Sequence, residues 1–250
     1  MKPYFDAPFV ALAHQGGPAY GPNRGRPNTL AAFRTAVDLG YTHLETDVHA
    51  SAEGTVWIHH DPTLADGRAI ADLSDAELTG ARVGSEPVPT LAQALEECAQ
   101  ARFNIDLKAA GAVAPVAEVI RRFGAEHRVC VGAFSNARLR QFRRLLPQVA
   151  TSVGPIGVAY AAWLPVAPRL APPAGDAFQI PQSHRIGPVR VPTLTEQLVA
   201  NAHARGQQVH VWTINDEATM EHLIDAGVDG IVTDAIEVLA TVLRRRRLWP

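Results

Sequence analysis

Apolar residues run along this chain in two alternating rhythms. Short apolar blocks bounded by Gly, Pro, Asn or Asp read as buried strands. Longer stretches with apolar positions three and four apart read as amphipathic helices. The blocks predict strands at residues 9–13, 42–48, 55–58, 102–107, 129–133, 149–153, 177–180, 209–213 and 230–233. Helical spacing predicts helices at 29–39, 91–100, 113–123, 137–145, 195–205, 217–226 and 236–246. In the first of these Leu30, Phe33 and Val37 share a face, and Gly40 suits the C-terminal cap. Residues 154–175, rich in Pro and Ala, follow neither rhythm.

Repeated strand–helix units imply parallel strands joined by helical crossovers. About eight strands in one chain of 250 residues predict an α/β fold, a (β/α)8 TIM barrel in a single domain over 1–250. No G-x-G-x-x-G follows the first strand, so a dinucleotide-binding open sheet is not indicated. Residues 61–90 break the rhythm with Leu64, Ile70, Leu73, Leu78 and Val83, and read as a small insertion after strand two, over the barrel mouth.

Composition narrows the class. With 47% hydrophobic residues the chain can bury a large core, and a net charge of −2 gives no reason to expect nucleic acid or an anionic membrane surface as partner. Residues 1–9 lack the apolar stretch of a signal peptide, and no apolar run has membrane-spanning length. The expectation is a cytoplasmic protein with no integral membrane contact. Cys98 and Cys130 are too few for a disulfide framework and suit buried, reduced positions. Arg244, Arg245, Arg246 and Arg247 form a basic run expected at a solvated helix C-terminus. Of 23 basic residues only Lys2 and Lys108 are lysine, so Lys108 stands out as the interior exception to an arginine bias.

The chemistry concentrates at predicted strand ends, where barrels of this kind carry their sites. His14 ends the first strand. Glu45 and Asp47, two apart on the second, share a face and can converge on one hard cation. Asp106 and Lys108 share a face at the end of the strand over 102–107. His59 and His60 follow on an extended piece and point to opposite faces, so one of them can reach the mouth. Paired carboxylates with nearby histidines suggest metal-assisted acid–base chemistry on an anionic substrate, most plausibly a phosphate ester.

Several segments together resemble the glycerophosphodiester phosphodiesterase family over nearly the whole chain. They are Ala13-His14-Gln15-Gly16-Gly17, Pro27-Asn28-Thr29-Leu30, Leu44-Glu45-Thr46-Asp47-Val48, His60-Asp61-Pro62-Thr63-Leu64, Asn104-Ile105-Asp106-Leu107-Lys108 and Val211-Trp212-Thr213-Ile214-Asn215. The resemblance implies a TIM barrel with an insertion after strand two, and hydrolysis of a small-molecule glycerophosphodiester to glycerol phosphate and an alcohol. It implies one divalent cation, Mg²⁺ or Ca²⁺ with Mn²⁺ as a further choice, held by Glu45, Asp47 and Asp106. His14 and His60 would be general acid and base, in an order left open, and Lys108 would face the phosphoryl oxygens. A cyclic phosphate formed by the neighbouring glycerol hydroxyl would be the intermediate.

Three departures stand out. Gln15 occupies the position where the family usually has arginine, with Arg24 or Arg26 as possible replacements. Pro27 replaces the glutamate of E-N-T, and Asp106 replaces a glutamate. Gln15, Gln179 and Trp212 are expected at the substrate, Trp212 either stacking on it or packing the barrel top. His59 is expected to be structural. His49 could support a metal ligand, and Asp234 could belong either to the site or to the N-cap of the last helix. Two rival readings remain: a lysophospholipid-cleaving diesterase with an acyl groove along 159–170, and a phosphate-binding protein that has lost catalysis.

Overall fold

The computed structural model describes residues 2–163 and 173–249. Its elements follow in the order β1 (Val10–His14), α1 (Leu30–Asp38), β2 (His43–Ala50), β3 (Val56–Ile58), α2 (Asp75–Thr79), β4 (Arg82–Val83), β5 (Glu86–Pro87), α3 (Leu91–Glu97) and β6 (Arg102–Leu107). Then come α4 (Val113–Arg122), β7 (Val129–Gly132), α5 (Asn136–Leu145), β8 (Ala150–Thr151), α6 (Pro155–Trp163), β9 (Ala177–Ile180), β10 (Ser183–Ile186) and β11 (Val189–Pro192). The chain closes with α7 (Glu196–His203), β12 (Gln208–Val211), α8 (Glu217–Asp225), β13 (Gly230–Thr233) and α9 (Ile236–Arg246).

Eight parallel strands lie side by side in the order β8-β7-β6-β2-β1-β13-β12-β9. The two ends of this sheet meet through a Ser152–Ala177 bridge, with Val153 N donating to Ala177 O at 2.7 Å. The result is a nearly closed TIM barrel, as the sequence pattern predicts. Outward-facing Leu44, Phe103, Ile105, Val131, Phe178 and Val209 form the main core with the surrounding helices. Side-chain caps fix where several of those helices begin: Thr29 accepts from Ala32 N, and Thr90 forms a reciprocal capping box with Gln93.

The barrel interior is more polar than the usual branched aliphatic filling. Val10, Leu12 and Val232 are its apolar part. The end opposite the mouth is stoppered by Tyr4 and Phe5, buried against Cys130, Ala150 and Ala177. Both cysteines are free and buried, as expected. Burial raises the Cys98 thiol to about 11 and Cys130 further, which leaves both unreactive.

The rest of the chain differs from the sequence reading in identifiable ways. Residues 155–163, assigned to no element by their pattern, form α6. Its sequence PIGVAYAAW has almost no polar face, so helical periodicity left no trace. The antiparallel hairpin β10–β11 was also not predicted. The strand expected over 149–153 is regular only at β8, and that over 209–213 ends at Val211. Residues 164–170 of the predicted acyl groove lie outside the described residues.

The segment after β3 has its own small core of Trp57, Leu64, Ile70, Leu73, Leu78 and Val88. Asp75 ties it to the barrel, accepting from Ser51 Oγ at 2.7 Å and Trp57 Nε1 at 3.1 Å. The arginine run is engaged rather than merely solvated. Arg245 and Arg246 pair with Glu217, Glu221 and Asp225 of α8, and Arg244 stacks over Trp249 at 5.1 Å.

Candidate active site

The register of three adjacent strands assembles the site. His14 lies opposite Glu45, Glu45 opposite Asn104, and Asp47 opposite Asp106. All of them line a cavity of about 620 Å³ at the C-terminal ends of the strands, together with Lys108, His60 and Gln179. Residues from all three predicted strand ends therefore reach one mouth.

Lys108 stands between two carboxylates, with Nζ 2.9 Å from Asp47 Oδ1 and 2.9 Å from Asp106 Oδ2. Burial would weaken its proton, but the charges of Asp106 and Asp47 outweigh that and raise its pKa. The other oxygen of Asp47, Oδ2, accepts from Gln15 Nε2 at 2.7 Å and from Asn28 Nδ2 at 3.0 Å. Both donors sit on left-handed backbone, with φ of 51° at Gln15 and 59° at Asn28. Gln15 is followed by two glycines that the packing requires. A Cβ on Gly16 would come within 2.7 Å of Ala32 Cβ, and one on Gly17 within 2.5 Å of Ile236.

Glu45 is 7% exposed. Burial and the charge of Asp47 raise its pKa to about 8, against the opposing pull of His14. Its Oε2 accepts from Gln15 N at 3.2 Å and lies 3.8 Å from His14 Nε2. His14 Nδ1 lies 2.6 Å from Asp234 Oδ1, and Asn215 Nδ2 donates to Asp234 Oδ2 at 2.9 Å. Burial would lower the His14 pKa, but the bond to Asp234 and the charges of Glu45, Asp234 and Asp47 carry it to about 9. The alternative role of Asp234 as an N-cap is not realised, because α9 is capped by Ala235 without a side-chain bond.

His60 is more than half exposed, and its Nδ1 lies 2.8 Å from Asp61 Oδ1. His49 Nε2 donates to the His60 carbonyl at 3.2 Å, so it supports the segment that carries His60. His59 does not line the cavity, and its Nδ1 donates to the Asp61 carbonyl at 2.9 Å. Neither Arg24 nor Arg26 reaches the mouth. Arg26 pairs with Glu86 at 3.4 Å, and no arginine lines the cavity among the described residues. Lys108 is thus the one Lys or Arg side chain on the wall among the described residues.

A hard divalent cation is the ion this donor set suits in type. Glu45, Asp47 and Asp106 supply only carboxylate oxygen, the type such ions prefer. Burial, with the charge of Asp47, raises the Glu45 pKa, and a bound cation would favour its ionised form. As the side chains stand, no three His, Cys, Asp or Glu groups converge closely enough to enclose an ion among the described residues. The Lys108 ammonium holds the space between Asp47 and Asp106. The set fits in donor type, and binding would require Lys108 to release one of the two and the carboxylates to draw together.

The opposite wall is apolar and comes partly from α6, a helix that the sequence pattern did not reveal. Val158, Ala159 and Trp163 of α6 line it, with Phe134 and Trp212 edge to face at 5.7 Å. Trp163 Nε1 donates to the Pro192 carbonyl at 3.1 Å, joining α6 to the β10–β11 hairpin. Gln179 Nε2 donates to Asn104 Oδ1 at 2.7 Å, which orients both on the cavity floor. Gln15 faces Asp47 and is not a lining residue. Asn104 was missed, although strand alternation two residues before Asp106 could have found it. Asn215 lay within the resembling segment 211–215 without being assigned a role, and Phe134 left no comparable signal.

The family model for the glycerophosphoryl diester phosphodiesterase family matches residues 14–238. A Mycobacterium tuberculosis protein named "Probable glycerophosphodiester phosphodiesterase 2" is 36% identical, covering 96% of this chain and 92% of its own. Human "Lysophospholipase D GDPD1" is 24% identical, covering 89% of this chain and 82% of its own. A crystal structure from Silicibacter pomeroyi, assigned to glycerophosphoryl diester phosphodiesterase, superposes with a TM-score of 0.82 over 100% of both chains at 25% identity. An Oleispira antarctica phosphodiesterase, solved with its product sn-glycerol-3-phosphate, gives a TM-score of 0.75 over 94% of this chain and 96% of that one, at 24% identity.

Proposed function

The chain belongs to the glycerophosphoryl diester phosphodiesterase family and is a glycerophosphodiester phosphodiesterase, and we propose that it cleaves its diester by paired histidine catalysis beside a divalent cation. The observation that carries this reading is His14, tied through Nδ1 to Asp234 and turning Nε2 to the carboxylate cluster. A proton held on one nitrogen by a carboxylate leaves the other nitrogen aimed at the substrate.

With a pKa near 9, His14 carries a proton at neutral pH and serves as the general acid. His60, exposed on the same cavity, serves as the base. It accepts the proton of the neighbouring glycerol hydroxyl as that oxygen bonds to phosphorus. The bond from phosphorus to the leaving oxygen breaks, and His14 Nε2 protonates the alkoxide. Water then opens the cyclic phosphate with the two histidines in exchanged roles. Lys108 faces the phosphoryl oxygens and offsets their charge. Glu45, Asp47 and Asp106 would hold Mg²⁺, Ca²⁺ or Mn²⁺, which supplies further charge neutralisation at the diester when bound.

The test is hydrolysis of glycerophosphocholine by wild type, His14→Ala and His60→Ala, with and without chelator, followed by phosphorus NMR. Losses of about 10²-fold or more are expected for each variant, and a transient cyclic phosphate signal is expected for wild type. Full activity of either variant, or indifference to the chelator, would refute the reading.

A second substrate reading has its own support in the apolar wall formed by Val158, Ala159, Trp163 and Phe134. Such a wall suits the acyl chain of a lysophospholipid, the substrate type in the name of the human relative. Turnover of lysophosphatidylcholine without turnover of glycerophosphocholine would establish it as the better description.

A further inference from the structure

Five large hydrophobic side chains stand exposed among the described residues; Phe134 and Trp163 line the cavity, Ile156 shares α6 with Trp163, and Val189 belongs to the hairpin that Trp163 joins. Phe134 (66% exposed) follows β7, and Ile156 (70%) and Trp163 (36%) sit on α6. Val189 (58%) begins β11, just past the hairpin turn. Leu145 is the fifth, at the far end of α5. A soluble protein rarely leaves such side chains clustered unless they meet a partner.

The charge on the same rim has an equally local pattern. Arg185 and Arg190 are directly opposed across the β10–β11 hairpin, and both are exposed. Like charges in that position destabilise a two-stranded ribbon. From Pro155 to Thr195 the sequence holds three arginines and one acidic residue, Asp176. Asp176 is bound to Lys2 at 3.1 Å, near the stoppered end of the barrel. No acidic side chain is paired with either hairpin arginine among the described residues. The net charge of −2 for the whole chain conceals this basic edge.

We propose that the rim formed by α6, Phe134 and the β10–β11 hairpin docks on an anionic lipid surface. The apolar side chains enter the boundary between headgroups and acyl chains, and Arg185 and Arg190 take lipid phosphates. This is a peripheral contact, since no helix among the described residues is long and apolar enough to cross a membrane. The apolar wall of the cavity continues into the same rim through Trp163 and Phe134. A lipid-borne diester drawn from the surface would therefore reach Lys108 along a continuous apolar path. Docking is read without turnover, so it stands or falls separately from the catalytic reading.

The experiment is co-sedimentation of the full chain with vesicles of equimolar phosphatidylglycerol and phosphatidylcholine, against vesicles of phosphatidylcholine alone. Wild type is expected on the anionic vesicles and to leave them as salt is raised. Arg185→Glu and Arg190→Glu should each lower the partition coefficient by about five-fold or more. Ile156→Asp with Val189→Asp should abolish binding. The wild-type circular dichroism spectrum and urea midpoint confirm that each variant is folded. Equal binding to both vesicle types, no binding by wild type, or binding that survives in folded variants would overturn the proposal. So would a wild-type dimer in solution that these substitutions dissolve, because the face would then belong to a second copy.

Discussion

His14 Nδ1 and Asp234 Oδ1 are 2.6 Å apart, joining the C-terminal ends of β1 and β13 across 220 positions of sequence. The pairing of those strands, Ala13 against Thr233, brings the two side chains together. The bond fixes the imidazole and favours its cationic form. Asp234 itself stays ionised, because the bonds from His14 and Asn215 outweigh its burial.

Replacing Asp234 by Asn removes the charge and keeps the shape. An NMR titration of the metal-free protein should then find the His14 pKa below its native value of about 9. A group with a raised pKa is protonated below that value, so an acid is lost as pH rises through it. The alkaline limb of the rate profile should move to lower pH, and kcat should fall by about 10²-fold. An unmoved limb would remove Asp234 from the proposed chemistry.

Lys108 is the one lysine or arginine on the cavity wall among the described residues, so none of the described neighbours can replace it. Lys108→Met should lower kcat/KM by about 10²–10³-fold. Lys108→Arg should recover little, since a planar fork cannot sit between Asp47 and Asp106 as the compact ammonium does. Steady-state kinetics on glycerophosphocholine would decide the matter, and near-native activity in the arginine variant would count against it.

Gly17→Ala tests the backbone rather than the chemistry. Its φ is 82°, and a Cβ would meet Ile236 at 2.5 Å. A loss of about 2–3 kcal/mol is expected in urea unfolding, from left-handed strain and overpacking combined.

Acid should weaken the fold through the other end of the barrel. Burial, helped by Arg102 and opposed by the bond to the Tyr4 carbonyl, lowers the His43 pKa to about 4. Burial and nearby His43 lower His210 to about 3. Both are neutral when folded and near 6.5 when unfolded, so the unfolded chain binds more protons between these values. Their stabilising contribution is complete above about pH 6.5 and declines as pH falls toward 4, by roughly 3 kcal/mol for His43 alone. Urea midpoints from pH 7 to pH 4.5 would show the decline, and a flat profile would contradict it.

The sequence made part of this site readable because strand alternation is a local rule. Glu45 with Asp47, and Asp106 with Lys108, are each two residues apart and needed only a strand to share a face. The partner of His14 was harder to find because Asp234 depends on barrel closure, which is a long-range event. Gln15 is expected at the substrate, where the family usually has arginine. Its left-handed backbone instead turns the amide to Asp47, and no propensity announces a positive φ at glutamine. Helix α6 was hidden because a helix that is apolar all round shows no period.

Tyr4 and Phe5 bear a consequence beyond packing. With one end of the barrel plugged, the reactant enters and both fragments leave through a single doorway. Glycerol phosphate and the freed alcohol must clear that passage before the next turnover begins. Accumulated glycerol phosphate should therefore compete with the incoming diester.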